Sequence, residues 1–273
     1  MRRRLDDATF ALIAAFVGAA LAYLVIPIAV AVAMSFDART FLGPFPPVEF
    51  SARWYVRFFT DTYMLKAIRT SIVIAILATA VSTVSGVAAA LVLDRYRFRG
   101  HDVLASLFLA PLVVPAVVIG FSLLLLFSIL GIYDGFVRLL GAHILITIPY
   151  TIRTTLAALV GIRKSVVEAA LSLGANERQA FWSVTFPLAR TGIVAGGVFA
   201  FAFSLDDVAV SLFLTDPTTY TLPVAMISMM RASFDLRIAA AAVLLVAFTV
   251  VLIFVLDRLV GLERIVGQGI YRA

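Results

Sequence analysis

The chain contains no cysteine among its 273 residues, which excludes disulfide scaffolds, Cys-ligated zinc, thiolate-held clusters and thiol catalysis. Lysine is nearly as scarce, with only Lys66 and Lys164. No Gly-x-x-x-x-Gly-Lys-Ser/Thr run occurs either, so the chain has no loop of its own to cradle nucleotide phosphates. Gly-x-Ser-x-Gly and His-Glu-x-x-His are missing, which removes the familiar signs of a hydrolase. The two histidines, His101 and His143, lie far apart without carboxylates at ligand spacing, so neither marks a metal site and both read as structural. Charge itself is rare: 14% of residues are charged and 63% hydrophobic, against about 25% and about 45–50% in a soluble domain. A soluble fold of this size would expose large apolar patches. The solvent of this chain is therefore lipid.

Crossing a bilayer core about 30 Å thick takes roughly 20 apolar helical residues. Six stretches qualify: 9–34, 67–93, 103–130, 137–160, 190–214 and 238–260. They lack period-2 alternation and are two to three times longer than the ~10-residue strands of a membrane barrel, so the expected fold is all-α, a polytopic bundle in one domain over 1–273. The first run is too long for the apolar core of a signal peptide, about 7–15 residues, and is read as an uncleaved anchor despite Ala31-Val32-Ala33.

Cations then orient the chain. Arg2, Arg3, Arg4, the loop Arg95-Tyr96-Arg97-Phe98-Arg99, the group Arg163, Lys164, Arg178 and Arg190, and the tail Arg258, Arg264 and Arg272 fall on one side. By the positive-inside rule that side is the cytoplasm, and both termini belong there. The opposite side has fewer cations, partly balanced by Asp37, Glu49, Asp61, Asp134, Asp216 and Asp235. The formal charge of +6 thus reports topology, not nucleic-acid binding.

Pro27, Pro111, Pro115 and Pro149 interrupt spans, where they kink a helix or open a cavity. Gly192-xxx-Gly196 and Ser82-xxx-Gly86 have the spacing that lets membrane helices approach closely. No inverted repeat of the secondary-transporter kind is evident. In the outer connection 35–66, the run Trp54-Tyr55-Val56-Arg57-Phe58-Phe59 is expected to lie along the membrane interface as an aromatic belt.

Residues 161–189 are too polar to span and carry two helix starts. Ser165 with Glu168 forms one capping box and Asn176 with Gln179 an approximation of a second, while Gly174 between them is a C-terminal stop. Two short cytosolic helices follow, near 166–173 and 177–185, the second with Phe181, Val184 and Leu188 on its apolar side and ended by Pro187. Such a pair can pass force to a soluble partner or lie on the lipid surface.

The run Glu168-Ala169-Ala170, three residues, Gly174, nine residues, then Val184-Thr185-Phe186-Pro187 resembles the EAA loop of ABC-importer permeases. Val184 and Phe186 are conservative departures from that pattern. Arg95-Tyr96-Arg97-Phe98-Arg99-Gly100, Leu130-Gly131-Ile132, Phe203-Ser204-Leu205-Asp206-Asp207-Val208 and Leu222-Pro223 narrow the resemblance to the second permease subunit of spermidine/putrescine importers.

The resemblance implies a type I (MetI-like) importer permease fold in a bacterial inner membrane. It implies docking of Glu168, Ala169, Ala170, Gly174, Ala175, Asn176, Phe181 and Pro187 on a cytosolic ATPase. Implied partners are a second, related permease, two copies of the ATPase and a periplasmic binding protein. ATP and Mg would be bound by the ATPase, and no cofactor by this chain.

Asp206 and Asp207 fall about two thirds of the way through the fifth span. An aspartate at a helix centre costs roughly 2.5–3.5 kcal/mol on insertion scales, so the pair must find water, a cation or a donor. Adjacent helical residues diverge by about 100°; one projects into a path while the other turns to a neighbour, or both serve packing. Ser204, Tyr150 and Arg153 are further candidates for the path. Arg153 has three readings: snorkelling to the cytoplasm, pairing with an aspartate, or facing a solute that bears a carboxylate. An ion-gradient-driven transporter remains as the alternative class, in which the EAA-like loop would have no purpose.

Overall fold

The computed structural model describes residues 2–41, 43–232 and 235–260; Arg264 and Arg272, expected in the cytoplasmic set, lie outside the described residues. Helix α1 runs Arg2–Ser35, α2 Arg53–Thr60 and α3 Thr62–Arg95. Then come α4 (His101–Leu109), a 3₁₀ turn (Ala110–Leu112), α5 (Ala116–Ile129) and α6 (Gly135–Val160). Helices α7 (Lys164–Ser172) and α8 (Glu177–Ala180) lead through a π-helical turn (Phe181–Thr185) into α9 (Phe186–Asp206). The chain closes with α10 (Ser211–Leu214), α11 (Leu222–Ala232) and α12 (Arg237–Val260).

Four expected spans lie on single long helices, α1, α3, α6 and α12. The third, 103–130, does not: His101–Leu112 and Ala116–Ile129 meet at 104°. Pro115 stands at the N-cap of α5 in an extended conformation (φ −55°, ψ 132°), and a proline both lacks a donor and biases its predecessor away from helix. The fifth is displaced. Its helical run begins at Glu177 and stops at Asp206, so Asp207–Val210 is an interruption where a continuous span to 214 is expected.

Pro187 does not end a helix as expected. It occupies the first turn of α9, and the preceding π turn carries the chain past it, with Phe186 N–H donating to Phe181 O. The i→i−5 bond is what defines such a turn. Nor do Trp54 and Phe58 lie in an interfacial belt. They are one helical turn apart on α2 and almost wholly buried, with Trp54 Nε1 donating to Asp37 O at 2.7 Å, while Val56 and Phe59 face outward.

The chain packs as two compact units. One, built from α1, α2 and residues 226–248, gathers Met34, Trp54, Leu236 and Ala240 into a small core, with Arg237 paired to Asp61 and Asp235. The other contains residues 66–225 and has its centre at α6. Buried Ile74, Leu139, Ala142, Ile146, Val210 and Leu214 form one cluster, and Ala90, Leu93, Ile152, Leu159 and Ala189 a second.

Both small-residue pairs foreseen in the sequence are used at this centre. A Cβ on Gly86 would stand 1.8 Å from Thr151 Oγ1, and one on Gly196 2.2 Å from Thr154 Oγ1 and 3.0 Å from Thr151 Cα. Thr151 Oγ1 also donates to Ser82 O at 2.8 Å. Thr151 thus touches α3 on one side and α9 on the other. At the far end of α6, Asp216 accepts from Gly135 N at 2.9 Å and from Thr218 and Thr219, tying loop 216–219 to the helix start. Burial pushes its carboxyl up, but the bonds from Thr218, Thr219 and Gly135 outweigh it and hold it below the ordinary aspartate range.

Gly196→Val should destabilise the detergent-solubilised protein by about 1–3 kcal/mol through overpacking, read as a lower melting temperature. Gly18→Ala, where a Cβ meets nothing within 4 Å, should leave it unchanged. Because the folded Asp216 carboxyl is depressed, its stabilisation is complete above the unfolded value near about 4 and is lost as pH falls through the folded one. Hydrogen exchange at the Gly135 and Thr219 amides should therefore accelerate only below about pH 4, and an equal change in Asp216→Asn would refute the assignment.

Candidate functional site

The segment 161–189 is built around a left-handed glycine. Helix α7 ends at Gly174 (φ +92°), whose N–H donates to Leu171 O at 3.0 Å while Ala175 N–H donates to Ala170 O at 3.1 Å. These two bonds close a Schellman motif. A Cβ at Gly174 would meet nothing within 4 Å, so the backbone conformation, not space, requires glycine there. The next helix starts with the expected capping box: Asn176 Oδ1 accepts from Gln179 N at 2.9 Å and Gln179 Oε1 from Asn176 N at 2.8 Å. The other expected box is not formed. Arg163 is the N-cap of α7 and makes no side-chain cap, and Ser165 lies inside the helix.

Glu168, Ala169, Gly174, Asn176 and Pro187 are exposed, and Ala170, Ala175 and Phe181 half-buried. Glu168 makes no ion pair among the described residues. Beneath α7 and α8 lies a cavity of about 330 Å³ whose walls include Leu91, Leu159, Phe181 and Glu168. Arg95, at the end of α3, lines it and pairs with Glu177 at 2.8 Å. Phe181, Trp182 and Phe186 pack around the π turn with ring centroids 5.1–6.2 Å apart. The Arg95–Glu177 link, the aromatic cluster and the π turn were not foreseen; the aromatic content of 181–186 was the available signal.

The adjacent aspartates separate completely. Asp206 is the last residue of α9 and is exposed, whereas Asp207 is extended and buried. Asp207 Oδ2 accepts from the backbone N and the Oγ of Ser211, both at 2.8 Å, and Oδ1 from Val210 N at 3.4 Å. Ser204 is buried and bonds His143 Nδ1 at 2.7 Å, while His143 Nε2 lies 3.0 Å from Ser211 Oγ. His143 was expected to be structural, but nothing in the spacing linked it to Asp207.

Tyr150 on α6 stacks on Phe203 of α9 with centroids 4.8 Å apart. Phe203 shares a stripe of α9 with exposed Phe199 and with Asp206, at i−4 and i+3. Arg153, one turn from Tyr150, is exposed and pairs with neither aspartate among the described residues. Among the described residues the site therefore has a carboxylate and a guanidinium that make no ion pair, the aromatic rings of Tyr150, Phe199 and Phe203, and no metal-binding cluster.

The family described as "Binding-protein-dependent transport system inner membrane component" matches residues 82–262. The spermidine/putrescine transport system permease protein PotC of Escherichia coli (strain K12) is 32% identical over 253 residues, covering 93% of this chain and 95% of that protein. The putrescine transport system permease protein PotI of the same strain is 35% identical over 202 residues, 71% of this chain and 72% of that one. A chain of a bacterial ABC transporter that imports the acidic polysaccharide alginate shares the fold, with a TM-score of 0.75 over 95% of this chain and 98% of that chain at 14% identity.

Replacing Gly174 by Ala should strain the left-handed cap by about 1–2 kcal/mol, and Asn176→Ala should cost α8 about 1 kcal/mol. Amide exchange at Leu173–Ala175 should quicken in the first variant and at Gln179 in the second. Unchanged exchange in both would show that the caps do not hold the segment.

Proposed function

The chain belongs to the family of binding-protein-dependent transport system inner membrane components, and from that premise we propose that it is one permease subunit of an ABC importer for polyamines of the spermidine/putrescine class. The solute class rests on one observation, the exposed Asp206 on the same stripe of α9 as Phe199 and Phe203, with Tyr150 against Phe203. An aliphatic polyammonium chain finds a counter-ion and cation–π contacts in that arrangement. The printed names of the polyamine-transport relatives support the same class.

The whole chain acts as a single permease domain with both termini in the cytoplasm, a reading supported by the distribution of arginines. A second, related permease completes the path, a periplasmic binding protein delivers the solute, and two ATPases bind ATP and Mg and supply the energy. The exposed Glu168 and Ala169 and the rigid turn at Gly174 suit α7 and α8 to seat on an ATPase. Closure of the ATPases then moves α9 directly, because the helical run is continuous from Glu177 to Asp206. A second reading, a zwitterionic amine, is favoured by the unpaired Arg153 one turn from Tyr150.

In proteoliposomes holding the complete importer, Asp206→Asn should reduce spermidine uptake roughly tenfold or more, the scale of one charged hydrogen bond, with assembly intact. Full uptake would remove Asp206 from the path. Competition by amine-bearing carboxylates that is lost in Arg153→Gln would favour the second reading. Substituting Glu168 and Gly174 together should leave ATP hydrolysis but abolish uptake, and unchanged uptake would sink the coupling assignment.

A further inference from the structure

Residues 207–210, Asp-Val-Ala-Val, contain neither glycine nor proline, yet the helical run stops at Asp206 and resumes only at Ser211. Within an apolar span an interrupted backbone has no water to satisfy it and persists only where tertiary partners replace the lost bonds. The partners here are side chains. Asp207 accepts the Ser211 N–H and hydroxyl and the Val210 N–H, and thereby caps the restarted helix.

The second set comes from α6. His143 has no exposed surface, and its imidazole spans the gap, with Nδ1 2.7 Å from Ser204 Oγ in the last turn of α9 and Nε2 3.0 Å from Ser211 Oγ at the start of α10. The roles of the donors follow from the inventory of each group. Ser211 has one hydroxyl hydrogen, which goes to Asp207 Oδ2, so its oxygen accepts from Nε2–H. Nδ1 of the neutral ring then accepts from the Ser204 hydroxyl. Each polar atom in the chain Ser204–His143–Ser211–Asp207 is thereby used.

We propose that His143 is a positioning residue: by bridging Ser204 and Ser211 it fixes the interruption after α9 and so sets the aim of Asp206. Its bearing on transport rests on the reading of Asp206 as a path residue, but the geometry can be measured without transport. Removal of the imidazole leaves the buried Ser204 hydroxyl without its acceptor and the buried Ser211 oxygen without its donor. Leaving such groups unpaired is unfavourable, and the neighbouring apolar sequence then favours continuing the helix through 207–210, which turns Asp206 relative to its present direction.

Because the chain has no native cysteine, Asp206→Cys supplies a single thiol whose modification by a charged methanethiosulfonate can be read as a mass shift on this chain in the assembled importer. Adding His143→Ala should change the labelling rate at least about fivefold, the scale of a lost hydrogen bond. Ser211→Ala, nearly equal in volume and cutting the same bridge, should change it in the same direction. His143→Gln, which offers both a donor and an acceptor, should return it to within about twofold. With Asp206 intact, the KM for spermidine uptake should rise in His143→Ala and recover in His143→Gln. An unchanged labelling rate in both His143→Ala and Ser211→Ala overturns the proposal, as does a Gln variant altered as much as the Ala one. Normal uptake by Asp206→Asn would instead remove the path reading and leave the labelling result to decide the role of His143.

Discussion

Everything in the larger unit depends on how closely α6 can be approached. Lipid tails are as apolar as leucine, so helices in a bilayer gain little from the hydrophobic effect and must win their association through contact and hydrogen bonding. Here contact is made possible by what is missing from the side chains: Gly86 admits Thr151 against α3, and Gly192 and Gly196 admit Thr151, Thr154 and Ala158 against α9. The threonines add the polar component, with Thr151 donating to Ser82 O on α3 and Thr154 closing on its own helix at Tyr150 O. With α6 so clamped, Tyr150, His143 and Arg153 are all carried on one rigid element.

Two neighbouring carboxylates serve two ends in this frame. Asp207 accepts from donors on Ser211 and Val210 and disappears into the packing, whereas Asp206 stands exposed at the helix end on the stripe that carries Phe203. Their difference is set by the chain's direction, not by composition, since a continuous helix would have separated them by only about 100° on one rod. Under the proposed function, the buried member holds the site and the exposed member meets the solute.

How much of this was legible follows from what each signal measures. Long apolar runs report burial in lipid, so the helices of the spans were readable; Gly174 and Asn176–Gln179 are local conformational instructions, so the turn and cap between α7 and α8 were readable too. Ser165 and Glu168 satisfy the same local pattern, but the helix begins at Lys164, one residue earlier, which places the serine inside it. The interruption at 207–210 was not legible because Asp207, which accepts from Val210 and Ser211, carries no glycine or proline beside it, and because His143, which bonds Ser204 and Ser211, lies on a helix about sixty residues earlier in the sequence. Trp54 and Phe58 misled for a related reason: aromatic residues near an interface suit a belt or a small core equally well, and only the Trp54 bond to Asp37 decides.

The π turn at Phe181–Thr185 gives the length of the segment between α6 and α9 a meaning beyond spacing. Such a turn takes up about one residue more than an α-helical turn, so the residues beyond it stand roughly 100° back in phase from where an unbroken α-helix of the same length would put them. Were Phe181–Thr185 α-helical with the residue count unchanged, Gly192 and Gly196 would rotate off α6 while Gly174 and Asn176 stayed as they are. The π turn thus behaves like the angular setting of a crankshaft. Under the proposed function, it sets which face of α9 answers a push delivered at α8.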